Sequence, residues 1–192
     1  MKSFEESEIE GPILYPIFLD LDSKRCVIVG GGEVANRKAR KLLQARAEVI
    51  VVSPEVKPEL ESMATEVHRR PYVTGDLEGA FLAFAAANAR EVNAAVAREG
   101  REKGIPVNVV DRPSEGDFAL PSTLRRGHLQ VSVSTGGASP TLARRIRREL
   151  EEVFEPEWAG IVEELSKARR DGRKAEEDLE EVIEGCLLRL RG

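Results

Sequence analysis

Histidine and cysteine are scarce in this chain, two of each among 192 residues. Cys26 sits in an apolar run and Cys186 in a helical pattern. They are far apart in sequence and match no metal or dithiol spacing, which points to a reducing compartment. No cluster of His, Cys or carboxylate side chains offers ligand spacing, so no resident metal is expected. His128, in a turn before a strand, reads as structural or solvent-facing. Long apolar runs are missing too: none approaches the roughly 18 residues of a membrane span. The start, "MKSFEESEIEG", is acidic and lacks the apolar core of a signal peptide. The expectation is a soluble cytoplasmic protein that does not engage a membrane. Nor is positive charge in excess: the net charge is −5, which argues against a nucleic-acid role. Charge is uneven, however. Lys and Arg crowd residues 37–41 and 144–148 while 149–164 and 176–184 are acidic, so a local basic cleft for an anionic ligand is allowed.

What is present begins with β–α alternation. The length suits one medium domain with an appendage, or two small domains, with core enough to fold without disulfides. Residues 12–22, "PILYPIFLDLD", read as an entering strand, and "KRCVIV" (24–29) as a β-branched one. A helix from about Glu33 to Arg46 puts Ala35, Ala39, Leu42 and Leu43 on one face. Further strands are expected at 48–53, in "EVHRRPY", at 80–87 and in "IPVNVV", with helices in "VKPELESMA" and "AREVNAAVAREGREKG" between them. Short connections of this kind imply a parallel sheet covered by helices, an α/β fold. After Asp111 the pattern changes to turn chemistry, then to an antiparallel-type alternation from His128 to Thr135. A helix follows from Pro140 to about Phe154, with Leu142, Ile146, Leu150 and Val153 on one face. Residues 157–191 read as a helical hairpin. Divisions are expected near 113 and near 154.

The stretch "VIVGGGEVANRKARKLL" is G-x-G-x-x-A between a strand and a helix, the setting that a dinucleotide fingerprint requires. Gly30 permits the tight turn, Gly32 lets the backbone approach a pyrophosphate, and Ala35 lets helix and sheet pack closely. The helix start adds free N–H groups and a positive dipole end. The ribose-binding acid is expected about 20 residues on. There the chain reads Ser53, Pro54, Glu55, and either Ser53 or Glu55 serves. No arginine stands there for a 2′-phosphate, so NAD is expected over NADP. Tyr15 and Tyr72, the only tyrosines, lack a lysine four residues on, which argues against a Ser–Tyr–Lys dehydrogenase.

Two later stretches indicate what a nucleotide is for. "VNVVDRP" leaves Asp111 at the carboxyl end of a strand, where open α/β sheets bind ligands. A carboxylate there orients a cationic ring, takes a proton, or simply caps the turn before Pro113. In "STGGASPTLARRIRRELE", Ser139 is an N-cap with Pro140 at N1, preceded by Gly136 and Gly137. This gives a second anion-accepting helix start, with Arg144, Arg145, Arg147 and Arg148 behind it.

Together, "LYPIFLDL", "CVIVGGGEVANRKARKLL", "NVVDRP…DFALPS" and "VSVSTGGASPTLARRIRRELE" resemble the siroheme synthase N-terminal domain family, over roughly residues 12–155. The resemblance implies a Rossmann-type NAD domain (1–113), a mixed α+β dimerisation and substrate segment (114–154) and a small helical C-terminal domain (155–192). It implies NAD-dependent dehydrogenation of precorrin-2, an anionic tetrapyrrole, to sirohydrochlorin in siroheme biosynthesis, by a homodimer. Some members also insert ferrous iron or cobalt, so ferrochelatase activity stays open. By motif, Gly30, Gly31, Gly32, Glu33, Val34, Ala35, Ser53, Pro54, Glu55 and Ala86 fall to the cofactor. Asp111 takes the place of the family's catalytic aspartate. Asn108, Thr135, Gly136, Gly137 and Ser139 fall to the substrate, Thr135 standing where some members carry a phosphorylatable serine. Where the family often reads "AATND" this chain has "AAANAR", so Ala87 lacks a hydroxyl. A fused methyltransferase is not expected. The competing expectation is a non-catalytic NAD-binding regulatory module.

Overall fold

The structure, a computed structural model, describes residues 13–170 together with 184 and 185. The chain packs as two compact units. One is Tyr15–Ala119, and the other comprises the described residues outside it.

The first unit is built on a five-stranded parallel sheet: β1 (Arg25–Val29), β2 (Glu48–Val52), β3 (Glu66–His68), β4 (Leu82–Ala85) and β5 (Val107–Val109), in the order β3-β2-β1-β4-β5. Near-continuous runs of β-branched residues make these strands because both faces are covered. Alternate side chains feed two cores. Cys26, Ile28, Val49, Val51 and Phe84 pack against Ala35, Ala39 and Leu42 of helix α1 (Glu33–Gln44). On the opposite face Val27, Val29, Ile50, Val52 and Ala85 pack against Val96 and Ala97 of α3 (Arg90–Lys103). A short helix α2 (Pro58–Met63) joins β2 to β3. Burial pushes the Cys26 thiol up to about 11. Because β2 and β4 leave β1 on opposite sides, the chain reverses at the carboxyl end of β1 and opens a crevice there.

Two expectations change. Residues 13–20 form no strand, and Ile13, Tyr15, Ile17 and Phe18 are exposed. Pro16 removes a ladder donor from the middle of that run, so its apolar composition does not become pairing. In the second unit a strand not read from the pattern, β6 (Ser122–Arg126), pairs antiparallel with β7 (Leu129–Val133). Gly127, at φ +57, makes the turn. Only Leu124 of β6 is buried, so no alternation marked it. Helix α4 (Pro140–Val153) follows, then α5 (Trp158–Arg170). Arg126 donates to the carbonyls of Phe154 and Glu151, satisfying acceptors left open at the end of α4. Leu142, Ile146 and Val153 of α4 remain exposed within this unit. The expected second helix of the hairpin lies almost wholly outside the described residues.

Candidate functional site

The crevice at the carboxyl end of β1 is a cleft of about 610 Å³ within the first unit, inside the roughly 300–1,000 Å³ usual for cofactor pockets. Gly30, Gly31, Gly32, Ser53, Pro54, Glu55 and Ala86 line it, with Lys57, Tyr72, Ala87 and Asn88. Glu33, Val34 and Ala35 form the first turn of α1 behind the glycines, Ala35 being fully buried against the sheet.

The three glycines have different reasons to be glycine. Gly30 sits at φ +131 with the Ala86 carbonyl oxygen 2.3 Å from where a Cβ would be. At Gly31 a Cβ would fall 1.8 Å from the Glu55 carbonyl oxygen, and the Gly31 carbonyl accepts from the Lys57 N–H at 3.0 Å. Gly32, the N-cap of α1, has nothing within 4 Å of its absent Cβ and no side-chain cap. The first two are enforced by the protein's own backbone. Gly32 leaves a bare helix start open to the cleft, which fits an anionic group held by N–H donors.

Beyond β2, the Ser53 hydroxyl donates to the Glu55 carbonyl at 2.7 Å and so shapes the loop. The Glu55 carboxylate is exposed on the cleft wall. Lys57, a cation not singled out from the sequence, pairs with Glu33 at 2.7 Å. That contact lowers the Glu33 carboxyl pKa and raises that of the Lys57 ammonium. The wall formed by Tyr72 is held from behind: its hydroxyl donates to the buried Glu99 carboxylate, which also accepts the Gly75 N–H at 3.0 Å. Burial and this acceptor raise the Tyr72 pKa.

Asp111 follows β5 and is not on the cleft wall. Its Oδ1 accepts from Asn93 Nδ2 at 2.9 Å, and its Oδ2 lies 3.7 Å from Arg90 Nε. Asn108 is buried on β5, its amide engaged at both ends. It accepts from Lys38 Nζ at 2.7 Å and donates to the Phe118 carbonyl at 2.8 Å. In the second unit, Thr135 Oγ1 accepts the Ser139 N–H, and Ser139 Oγ accepts the Leu142 N–H at 3.1 Å, capping α4. Gly136 and Gly137 take φ +61 and +91, with open space around both.

Residues 17–122 match the family described as putative NAD(P)-binding, and residues 126–152 the family described as sirohaem biosynthesis protein central. A solved structure titled SirC, precorrin-2 dehydrogenase, is 30% identical, with TM-score 0.68 over 81% of this chain and 79% of that one. The chain belongs to the siroheme synthase N-terminal domain family. Within this family it is 43% identical to siroheme synthase 1 of Aeromonas salmonicida over 83% of its length. It is 44% identical to the siroheme synthase of Chromobacterium violaceum over 84%. It spans only about a third of those two relatives, 35% of each.

One consequence of this family member's packing concerns Lys38. Its amine lies 5.1 Å from the centre of the Phe84 ring. Burial, with Lys41 and Arg37 adding repulsion, pushes its pKa down to about 8. The unfolded chain therefore holds this proton up to about pH 10.5 while the folded protein loses it near 8. Wild type should gain stability relative to Lys38→Met as pH rises between those values, read as an upward change in wild-type Tm minus variant Tm. A difference independent of pH would show that the amine is solvated.

Proposed function

We propose that this chain oxidises precorrin-2 to sirohydrochlorin, with NAD⁺ as hydride acceptor. The reading is supported above all by the cleft that Gly32 leaves open at the start of α1, inside a chain of this family. The N–H groups of that helix start would hold the pyrophosphate, and Glu55 the adenosine ribose. Because Glu33 already meets the charge of Lys57, the loop presents no bare cation to a 2′-phosphate, which favours NAD over NADP. NAD⁺, when bound, supplies the hydride acceptor. The protein's task is to hold the donor carbon within reach and receive the departing proton, a task we give to Asp111. Substrate plus NAD⁺ thus yields sirohydrochlorin, NADH and one proton.

The substrate is a polycarboxylate, and the open glycine turn at Gly136 and Gly137 with the arginines of α4 supplies donors and positive charge for it. The exposed Leu142, Ile146 and Val153 suit association with a second copy. We retain the functional division into 1–113, 114–154 and 155–192, and a cytoplasmic setting.

Anaerobic incubation with enzymatically generated precorrin-2 and NAD⁺ tests this. Sirohydrochlorin absorbance and NADH should grow together, one for one, and only with NAD⁺. NAD⁺ binding without either signal would replace the reading with that of a nucleotide-sensing module.

A further inference from the structure

We propose that Asn93 is a positioning residue whose buried amide holds Asp111 in fixed register with the wall of the cofactor cleft. The inference rests on the dehydrogenase reading above and on the proton-accepting role given there to Asp111.

Asn93 is 1% exposed, yet every hydrogen-bonding group of its side chain is used. Its Oδ1 accepts the Ala87 N–H at 3.0 Å, and its Nδ2 donates to the Ala87 carbonyl at 3.0 Å. The remaining Nδ2 hydrogen goes to Asp111 Oδ1 at 2.9 Å. The first two contacts grip the backbone of one residue in the manner of a paired strand, so the amide plane cannot turn. The third is therefore aimed. Ala87 is part of the cleft wall, whereas Asp111 comes from the next strand and lies off that wall. One side chain thus couples the surface that meets the cofactor to the carboxylate that receives the proton.

Packing alone does not require asparagine here. It lies within α3, where asparagine is a poor helix former and a buried apolar side chain would fill the space. Asparagine is required only if both the Ala87 backbone and Asp111 need partners. Arg90, three residues earlier on the same helix, faces the other oxygen of Asp111 and is itself paired with Glu115. Arg112 also approaches Glu115, at 3.9 Å. The two oxygens of Asp111 therefore meet different neighbours: a neutral donor that fixes direction, and a cation shared with another carboxylate. Its side chain remains about a third exposed, so a substrate can reach it.

The test is a double-mutant cycle in kcat on the full chain, with NAD⁺ affinity by calorimetry and Tm on the same preparations. Asn93→Ser should lower kcat about 10- to 100-fold, the size of effect expected from a small misplacement of a reacting group. NAD⁺ Kd should rise no more than a few-fold. In an Asp111→Asn background, Asn93→Ser should change kcat less than two-fold, because the group it positions no longer acts. Asn93→Ala, which removes all three contacts and adds no charge, provides a second shape should the serine variant fail to fold, and should behave alike. Additive losses in the two backgrounds, or variants with wild-type kcat, would overturn the proposal. A wild-type chain without turnover would instead remove the dehydrogenase reading. Wild-type turnover in Asp111→Asn would remove the role of Asp111 and the inference with it.

Discussion

Alanine at Gly31 should abolish measurable NAD⁺ binding and lower Tm by roughly 10 °C, whereas alanine at Gly32 should weaken binding and leave Tm nearly unchanged. At Gly31 the new methyl group meets only backbone: the Glu55 carbonyl oxygen at 1.8 Å, its carbon at 2.8 Å and Val56 Cα at 2.8 Å. No rotamer relieves such contacts. The loop after β2 must retreat, and the hydrogen bond from the Lys57 N–H to the Gly31 carbonyl goes with it. Overpacking of this kind costs about 1–3 kcal/mol even where side chains absorb part of it. The same movement carries Glu55 off the cleft wall, so folding and binding fail together. A Cβ at Gly32 touches nothing, at an ordinary φ of −88. It projects into the space where we place the pyrophosphate. Differential scanning fluorimetry and calorimetry on both variants decide the matter. A Gly31→Ala protein with wild-type Tm and Kd would show that the two loops are not as close as described. Unaltered binding in Gly32→Ala would move the phosphate away from the helix start.

The second large effect is on turnover. Asp111→Asn should lower kcat by about 10²–10⁴-fold, the usual contribution of a positioned general base, with NAD⁺ Kd within about two-fold of wild type. The separation follows from geometry, because Asp111 is off the cleft wall that would hold the cofactor. The asparagine retains an oxygen able to accept from Asn93, so the change removes basicity with little loss of shape. Single-turnover formation of NADH under anaerobic conditions is the appropriate readout, since it isolates the chemical step from product release. Wild-type rates in the variant would transfer the proton to solvent or to another group.

The parallel sheet and its crevice were legible because each signal was local. A β-branched run, three glycines and an amphipathic helix follow one another within residues 25–44, and nothing distant is needed to interpret them. The apolar run at 13–20 forms no strand for the complementary reason: apolar content is local, but a strand needs a partner, and Pro16 blocks the pairing. β6 is hidden because Arg126, which shares the inner face with Leu124 and bonds the end of α4, is as charged as Arg125 on the outer face, so the sequence shows no alternation. Within the site, Ser53 and Glu55 are equivalent in sequence, and what separates them is the bond from the serine hydroxyl to the Glu55 carbonyl. Lys57, Tyr72 and Asn93 carried no signal at all. Each acquires its place from a residue more than five positions away, and spacing rules do not reach that far.

Cys26 gives this fold a built-in clock. Its sulfur is wholly enclosed in β1, between β2 and β4, and burial disfavours the thiolate that thiol reagents attack. Alkylation at Cys26, followed by peptide mass spectrometry to separate it from Cys186, therefore reports how often the central strand leaves the sheet. The strand that carries this thiol runs directly into the glycine turn, so the opening that exposes the sulfur also dismantles the nucleotide cleft. Nucleotide at one hundred times its Kd would slow that labelling about a hundred-fold by mass action. Affinity for the nucleotide thus becomes measurable without any turnover, from a sulfur atom that never touches it.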